Sequence, residues 1–207
     1  MALDSDVRAA LGTVNSGQVS DAMEGLGLTR SVLLGYRFLG PEGGKLIGPA
    51  FTVRQAAKPA QARHEDVLVS HIKVTTELAT PGDVVAIDAG GRTDIGTWGE
   101  NHCLRSRARD LAGAVVHGAT RDAPEIRAMG FPLFCRGASP VASRWDLATV
   151  ALREPVDMGG VQVCQGDILF GDETGILAIP PAVLPQVVDA ALAIRDKERD
   201  AARRYER

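Results

Sequence analysis

Residues 98–130 read WGENHCLRSRARDLAGAVVHGATRDAPEIRAMG. The pattern predicts a polar helix opened by Gly99, a short apolar strand over 112–116, and a second helix with Ile126 and Met129 on its apolar face. His117, Gly118, Ala119, Thr120, Arg121 and Asp122 stand at the strand's end. Gly99 therefore starts one helix and Arg121-Asp122 another. A right-handed strand–helix crossover can bring two such starts to the same end of a sheet. Helix starts carry free N–H groups and the positive end of the dipole, so they attract anions. A guanidinium and a carboxylate delivered there can bind an organic acid and a metal ion together.

Upstream, Pro81-Gly82-Asp83 is a turn, and VVAID over 84–88 is a near-continuous apolar strand of the kind buried on both faces. A glycine-rich loop over 89–96 leads into Trp98. GPAFTVR over 48–54 reads as a half-buried strand, with Phe51 and Val53 alternating against Thr52 and Arg54. Residues 30–46 are irregular. Residues 4–14 suit a helix with Val7, Ala10 and Leu11 on one face and Asp4 or Ser5 as its cap. Asn15-Ser16-Gly17 breaks it, Ser20-Asp21 caps a second short helix holding Ala22, Met23 and Leu26, and a further short helix spans 65–71.

Downstream, residues 131–135 form a buried strand, and further strands cover 161–163, the GDILFGDETG segment at 166–175, and 176–179. Residues 137–160 carry no clear periodicity beyond the Gly159-Gly160 turn. A long helix follows from 182 to about 205, with Leu184, Val187, Val188, Ala191 and Ile194 as its apolar stripe. Beyond Arg195 it is mostly charged, hence solvated or laid onto a neighbouring subunit. Strands interspersed with helices, without repeats or an internal linker, imply a single α/β domain over residues 1–207 with a mixed sheet.

Twenty-three basic residues against 26 acidic ones, a net charge of −3, give no electrostatic case for nucleic acid. Cys103, Cys135 and Cys164 are few, odd in number and widely spaced, which argues against a disulfide framework or a zinc ribbon. No apolar run approaches the ~20 residues of a membrane span. The start lacks the pattern of a signal peptide, and the expected location is cytoplasmic.

Several side chains admit two readings. Asp122 with Glu125 has capping-box spacing, and Asp122 also suits a hard divalent ion, which needs only one or two carboxylates. Arg121 can pair on the surface with Asp94 or Glu100, or clamp a carboxylate bidentately. Glu100 can complement the helix dipole or orient a water that moves protons. His102 and His117 are structural or site residues. His64 and His71 lie seven apart on the short helix, and Glu198 either ends a solvated helix or reaches a neighbour's site.

Gly99-Glu100, followed by Gly118-x-x-Arg121-Asp122-x-x-Glu125, resembles the RraA-like family, which includes class II 4-hydroxy-4-methyl-2-oxoglutarate/4-carboxy-4-hydroxy-2-oxoadipate aldolases and the regulator of ribonuclease activity A. Gly48-Pro-Ala-x-Thr-Val, Pro81-Gly-Asp-Val, Gly159-Gly-Val-x-Val and Gly166-Asp-Ile-x-x-Gly-Asp-x-x-Gly-Ile extend the likeness over about residues 10–195. The resemblance implies an α/β/β sandwich of the swivelling-domain type, assembled as a homotrimer or hexamer with sites at subunit interfaces. It implies that Arg121 binds a small 2-oxo acid, that Asp122 anchors Mg²⁺ or Mn²⁺, and that Gly99, Glu100, Asn101 and His102 contribute backbone amides and an acid.

The implied activity is metal-dependent cleavage of a 4-hydroxy-2-oxo acid through a pyruvate enolate, with oxaloacetate decarboxylation as a side reaction. The alternatives are a non-enzymatic regulator that binds a ribonuclease or other protein, and a same-fold lyase for another acid. Asn101-His102 and His117 depart from the family pattern and place titratable groups near the site. An imidazole at 102 can bind a hydroxyl, or a carboxylate when protonated, which implies a more polar substrate.

Overall fold

The computed structural model describes residues 3–58 and 71–205. Helix α1 (Ser5–Gly12) is capped by Asp4, whose carboxylate accepts from the N–H groups of Asp6 and Val7. Helix α2 (Ser16–Gly25) starts at Asn15, not at Ser20-Asp21. The Asn15 side chain accepts from the Gln18 N–H at 2.9 Å and the Gln18 side chain from the Asn15 N–H at 3.0 Å. The expected break is thus a reciprocal capping box that starts a helix. The short helix expected over 65–71 lies outside the described residues except for His71, which opens α3 (His71–Lys73) ahead of a π-helical turn over Val74–Leu78.

Strands β1 (Val32–Leu33) and β2 (Arg37–Phe38) are short edge pieces. Strand β3 (Leu46–Ala57) is followed by β4 (Val84–Asp88), β5 (Gly96–Trp98), α4 (Glu100–Ala108), β6 (Gly113–Thr120), α5 (Ala123–Met129) and β7 (Leu133–Ala138). The unpatterned region holds β8 (Leu147–Leu152) and the ribbon of β9 (Val156–Asp157) with β10 (Gln162–Val163); β11 (Ile168–Asp172), β12 (Gly175–Ile179) and α6 (Leu184–Tyr205) complete the chain.

Ten strands hydrogen-bond in the order β1-β12-β11-β3-β4-β6-β7-β2, with β5 on β6 and β8 on β3. The sheet is mixed: β3, β4, β6 and β7 run parallel, whereas β11 and β8 meet β3 antiparallel. Strand β3 belongs to two leaves. Its first residues, Leu46–Pro49, pair with β11, and Ala50–Arg54 pair with β4. This explains why its burial is nearly continuous. Thr52, expected to face out, is fully buried and satisfied by the Gln165 side chain, which accepts from its N–H at 3.0 Å.

The leaves pack face to face over Leu46, Val84, Ala86, Val115, Phe134, Leu169 and Ile176. Period-two alternation sends Val85, Ile87 and Val116 to the opposite face, where Cys103 of α4 and Ile126 of α5 cover them. Phe170, Leu177 and Ile179 of the other leaf are covered by α1, α2 and the stripe of α6. The expected sandwich with a long C-terminal helix is the observed one. No helix among the described residues is long and apolar enough to cross a membrane.

Gly48 sits where β3 passes between the leaves. A Cβ there would lie 2.3 Å from the carbonyl oxygen of Gly82, a backbone atom that cannot swing aside. Gly48→Ala is expected to destabilise the fold by about 2 kcal/mol in denaturant melts. Gly12→Ala, in a helix with nothing within 4 Å of the new methyl, should leave stability unchanged or raise it slightly.

Candidate active site

Strands β5 and β6 are parallel neighbours, with Gly96 opposite Ala119 and Trp98 opposite Thr120. Helix α4 follows β5 at once and α5 follows β6 at once, so both helix starts lie at one end of the sheet. The Arg121 N–H donates to the Trp98 carbonyl at 2.8 Å, which locks the two junctions together.

Asp122 occupies the left-handed region, φ 53° and ψ 37°, and caps α5 without a side-chain hydrogen bond to it. Non-glycine residues pay for this conformation with roughly 1 kcal/mol or more. Its carboxylate turns instead to the other helix: Oδ2 accepts from the Glu100 N–H at 3.1 Å. The capping box of Asp122 with Glu125 therefore does not form; Asp122 caps α4 across the junction. Gly99 permits this approach, since a Cβ there would sit 2.8 Å from Oδ2. Gly96 gives the Arg121 stem similar room, its Cβ falling 2.5 Å from Cγ. Among the described residues Arg121 makes no ion pair, and its buried Nε has no partner. Asp94 is taken by Arg92, at 2.6 Å.

A cavity of about 690 Å³ opens at this end of the sheet, lined by Gly99, Asn101, His102, Arg121 and Asp122. Glu100 is not in the lining, and its N–H is held by Asp122. Four cations of the lining were not singled out from sequence: Lys58, Lys73, Arg105 and Arg144. Among the described lining residues Asp122 is the lone carboxylate, beside five lysine and arginine side chains. Lys58 is anchored there by donating from Nζ to the Arg144 carbonyl at 2.6 Å. Only the pairing of β3 with β8 brings residues so distant in sequence together.

His102 forms one layer of an aromatic stack. His71 lies on one side, with ring centroids 4.7 Å apart and planes at 11°, and the buried Trp98 on the other at 4.9 Å. The Trp98 Nε1–H donates to the Cys103 sulfur at 3.1 Å. The Nε2 atoms of His71 and His102 are both buried without a partner among the described residues. Burial lowers the pKa of His71 to about 4, and burial with the neighbouring His71 lowers that of His102 to about 3. Without a ligand both imidazoles are neutral near pH 7.

His117, expected near the site, is elsewhere. It lies inside β6, its Nδ1 2.8 Å from the Tyr36 hydroxyl, and it is not in the cavity lining. Glu198 accepts from Gln18 at 2.6 Å within its own chain. His64 lies outside the described residues.

No group of three or more His, Cys, Asp or Glu among the described residues is placed to hold a metal. Among the described residues no all-protein cage, such as tetrahedral zinc, is formed. A hard ion held through Asp122, with water and ligand oxygens completing an octahedron, does fit this donor set.

Residues 16–178 match the family model described as RraA-like, Aldolase/RraA. The chain belongs to the RraA-like family. It is 32% identical over 179 residues, 86% of its length and 79% of the relative's, to a Halalkalibacterium halodurans protein named "Putative 4-hydroxy-4-methyl-2-oxoglutarate aldolase". Protein DlpA of Legionella pneumophila is 31% identical over 87% of the chain, which spans only 28% of DlpA. Among solved structures, Streptomyces coelicolor RraAS2, described as an unusual member of the RNase ES inhibitor RraA protein family, superposes with a TM-score of 0.83 at 29% identity over 98% of both chains. The family thus includes proteins named as aldolases and proteins named as RNase inhibitors.

The buried histidines make stability depend on pH. In the unfolded chain they titrate near 6.5; in this RraA-like fold they take up protons only near pH 3–4. The unfolded state therefore binds more protons below about pH 6.5. Stability should be full above that value and fall as pH drops toward 4. In denaturant melts between pH 7 and 5, where most carboxylates stay ionised, the double variant His71→Phe/His102→Leu should show a flatter slope than the parent.

Proposed function

We propose that this chain is a divalent-metal-dependent lyase that cleaves a 4-hydroxy-2-oxo acid to release pyruvate. The observation that carries this reading is the pairing of Arg121, free of ion pairs among the described residues, with Asp122 at the mouth of a cationic cavity. The guanidinium suits bidentate binding of the acid's carboxylate, while Lys58 and Arg144 offer charge to a second one. A Mg²⁺ or Mn²⁺ ion held by Asp122 would supply a Lewis acid for the keto acid oxygens.

In the cleavage, the C4 hydroxyl loses its proton and becomes a carbonyl as the C3–C4 bond breaks. The electron pair passes into the C2 keto group as an enolate, and protonation at C3 yields pyruvate. Arg121 stabilises the developing negative charge in a site whose described lining holds one carboxylate and five cations. Decarboxylation of oxaloacetate generates the same enolate and is the expected side activity. Glu100, with its side chain outside the lining, acts on the helix start rather than on the substrate. A trimeric or hexameric assembly accords with the family, and Leu104, Val141 and Val150 offer it exposed apolar surface.

Pyruvate release from a panel of 4-hydroxy-2-oxo acids, with and without Mg²⁺ or Mn²⁺, tests the reading. Turnover should require the metal and vanish in a folded Asp122→Ala variant. Arg121→Lys should lower kcat/KM at least tenfold on every substrate, because Lys cannot form the bidentate clamp. Turnover that persists in chelator would remove the metal from the reaction; no turnover on any member would favour the regulator alternative. Light scattering at micromolar protein should give three chain masses or a multiple of three; a monomer mass would count against shared sites.

A further inference from the structure

One buried hydroxyl stands between the two junctions that build the site. Thr120 ends β6 with no exposure to solvent. Its neighbours across the sheet are Trp98 of β5 and Ala138 of β7, so its backbone is held on both sides. Branching at Cβ restricts its rotamers. Valine would fill the same volume, and a buried hydroxyl is costly unless it is bonded. The single proton of Thr120 Oγ1 has two carbonyls in reach, that of Arg121 at 2.9 Å and that of Trp98 at 3.2 Å. The Trp98 carbonyl already accepts from the Arg121 N–H at 2.8 Å, and no other donor among the described residues reaches the Arg121 carbonyl. Donation to Arg121, the shorter bond, is the choice that satisfies both buried acceptors.

Both peptides that flank Arg121 are then pinned. Its N–H is held by Trp98 and fixes the plane before it; its carbonyl is held by Thr120 and fixes the plane after it. The second plane sets φ of Asp122, which stands at 53°. The rotamers open to a side chain depend on its φ and ψ, and in this conformation the carboxylate reaches the Glu100 N–H. Non-glycine residues prefer negative φ, so a peptide free to turn would leave the left-handed form. One net hydrogen bond is worth a factor of about five in an equilibrium, and the left-handed form costs a comparable factor or more. A single hydroxyl is thus enough to tip the balance.

We infer that Thr120 is a positioning residue of the site: by holding the Arg121 carbonyl, its hydroxyl keeps the Arg121–Asp122 peptide in the orientation that presents guanidinium and carboxylate to the cavity together. This rests on the reading of Asp122 as the anchor of a divalent ion.

The test uses Mn²⁺ alone, titrated into the metal-free protein, with the free ion followed by its paramagnetic resonance signal. Thr120→Val keeps the shape and removes the hydroxyl; it should weaken Mn²⁺ about fivefold, the worth of one hydrogen bond. Thr120→Ser keeps the hydroxyl and loses a buried methyl group, so it should lower the midpoint of a denaturant melt yet leave the Mn²⁺ affinity close to the parent's. Affinity that follows the hydroxyl rather than the melt separates positioning from a merely structural role. A second readout needs no metal. The Glu100 amide, bonded to Asp122 in the parent, should lose exchange protection and shift upfield in the proton spectrum of Thr120→Val, and do neither in Thr120→Ser.

An unchanged Mn²⁺ affinity in Thr120→Val, an unmoved Glu100 amide there, or a serine variant that behaves like the valine one would each overturn the assignment. If the parent binds no Mn²⁺, the metal part of the proposed function fails, and the Glu100 amide by itself decides for or against Thr120. If Mn²⁺ affinity follows the hydroxyl but no hydroxy-oxo acid yields pyruvate, the positioning role stands and the lyase reading fails.

Discussion

The hydrogen bond from the Glu100 N–H to the Asp122 carboxylate joins the two halves of the site. It fills one of the donors that an α-helix leaves open at its start, and the residue that fills it belongs to a different strand–helix junction. One carboxylate thus caps α4 and stands in the cavity wall. The arrangement needs Asp122 in the left-handed region, because only that turn points the side chain back across β5 instead of down onto α5. The backbone cost is met by the Arg121 N–H bond to Trp98 and by the parallel pairing of β5 with β6.

From that constraint follow the glycines at 96 and 99, whose missing side chains leave room for Arg121 and Asp122. The charge balance of the cavity follows too. Asp122 holds a backbone N–H and makes no ion pair among the described residues, so none of the described lysines or arginines of the lining is tied to it. The histidine stack closes one wall. Two neutral imidazoles whose Nε2 atoms find no partner among the described residues are a cost to folding, of about 1–3 kcal/mol for each buried polar atom left unpaired. Costs of this kind concentrate where a protein does chemistry or recognition.

Much of this was legible beforehand for reasons of period and chain order. The two helix starts flank one apolar strand, and the crossover rule places them together. Gly99, Asn101, His102, Arg121 and Asp122 duly line one cavity. What misled was local pattern read without its partner. Thr52 and Arg54 read as the wet side of a strand; Arg54 is exposed, but β3 is shared by two leaves and Thr52 is buried, its N–H held by Gln165. Asn15 looked like a helix breaker because Asn, Ser and Gly favour turns as much as caps; the reciprocal bond with Gln18 makes it a cap. His117 looked close to Arg121 along the chain. Yet four residues of strand carry about 13 Å, which leaves it beside Tyr36.

Sequence alone determined the buried parallel strands, the helices that flank them, the amphipathic stripe of α6 and the Arg–Asp pair at a helix start. All of these are set by spacing along one segment, where the chain itself fixes the distance between residues. Tertiary structure decided which helix Asp122 caps, the stack of His71 on His102, the neutrality of both rings, and the approach of Lys58 and Arg144. Each of those depends on segments separated by tens of residues meeting through strand register and packing, and on the water that such meetings exclude.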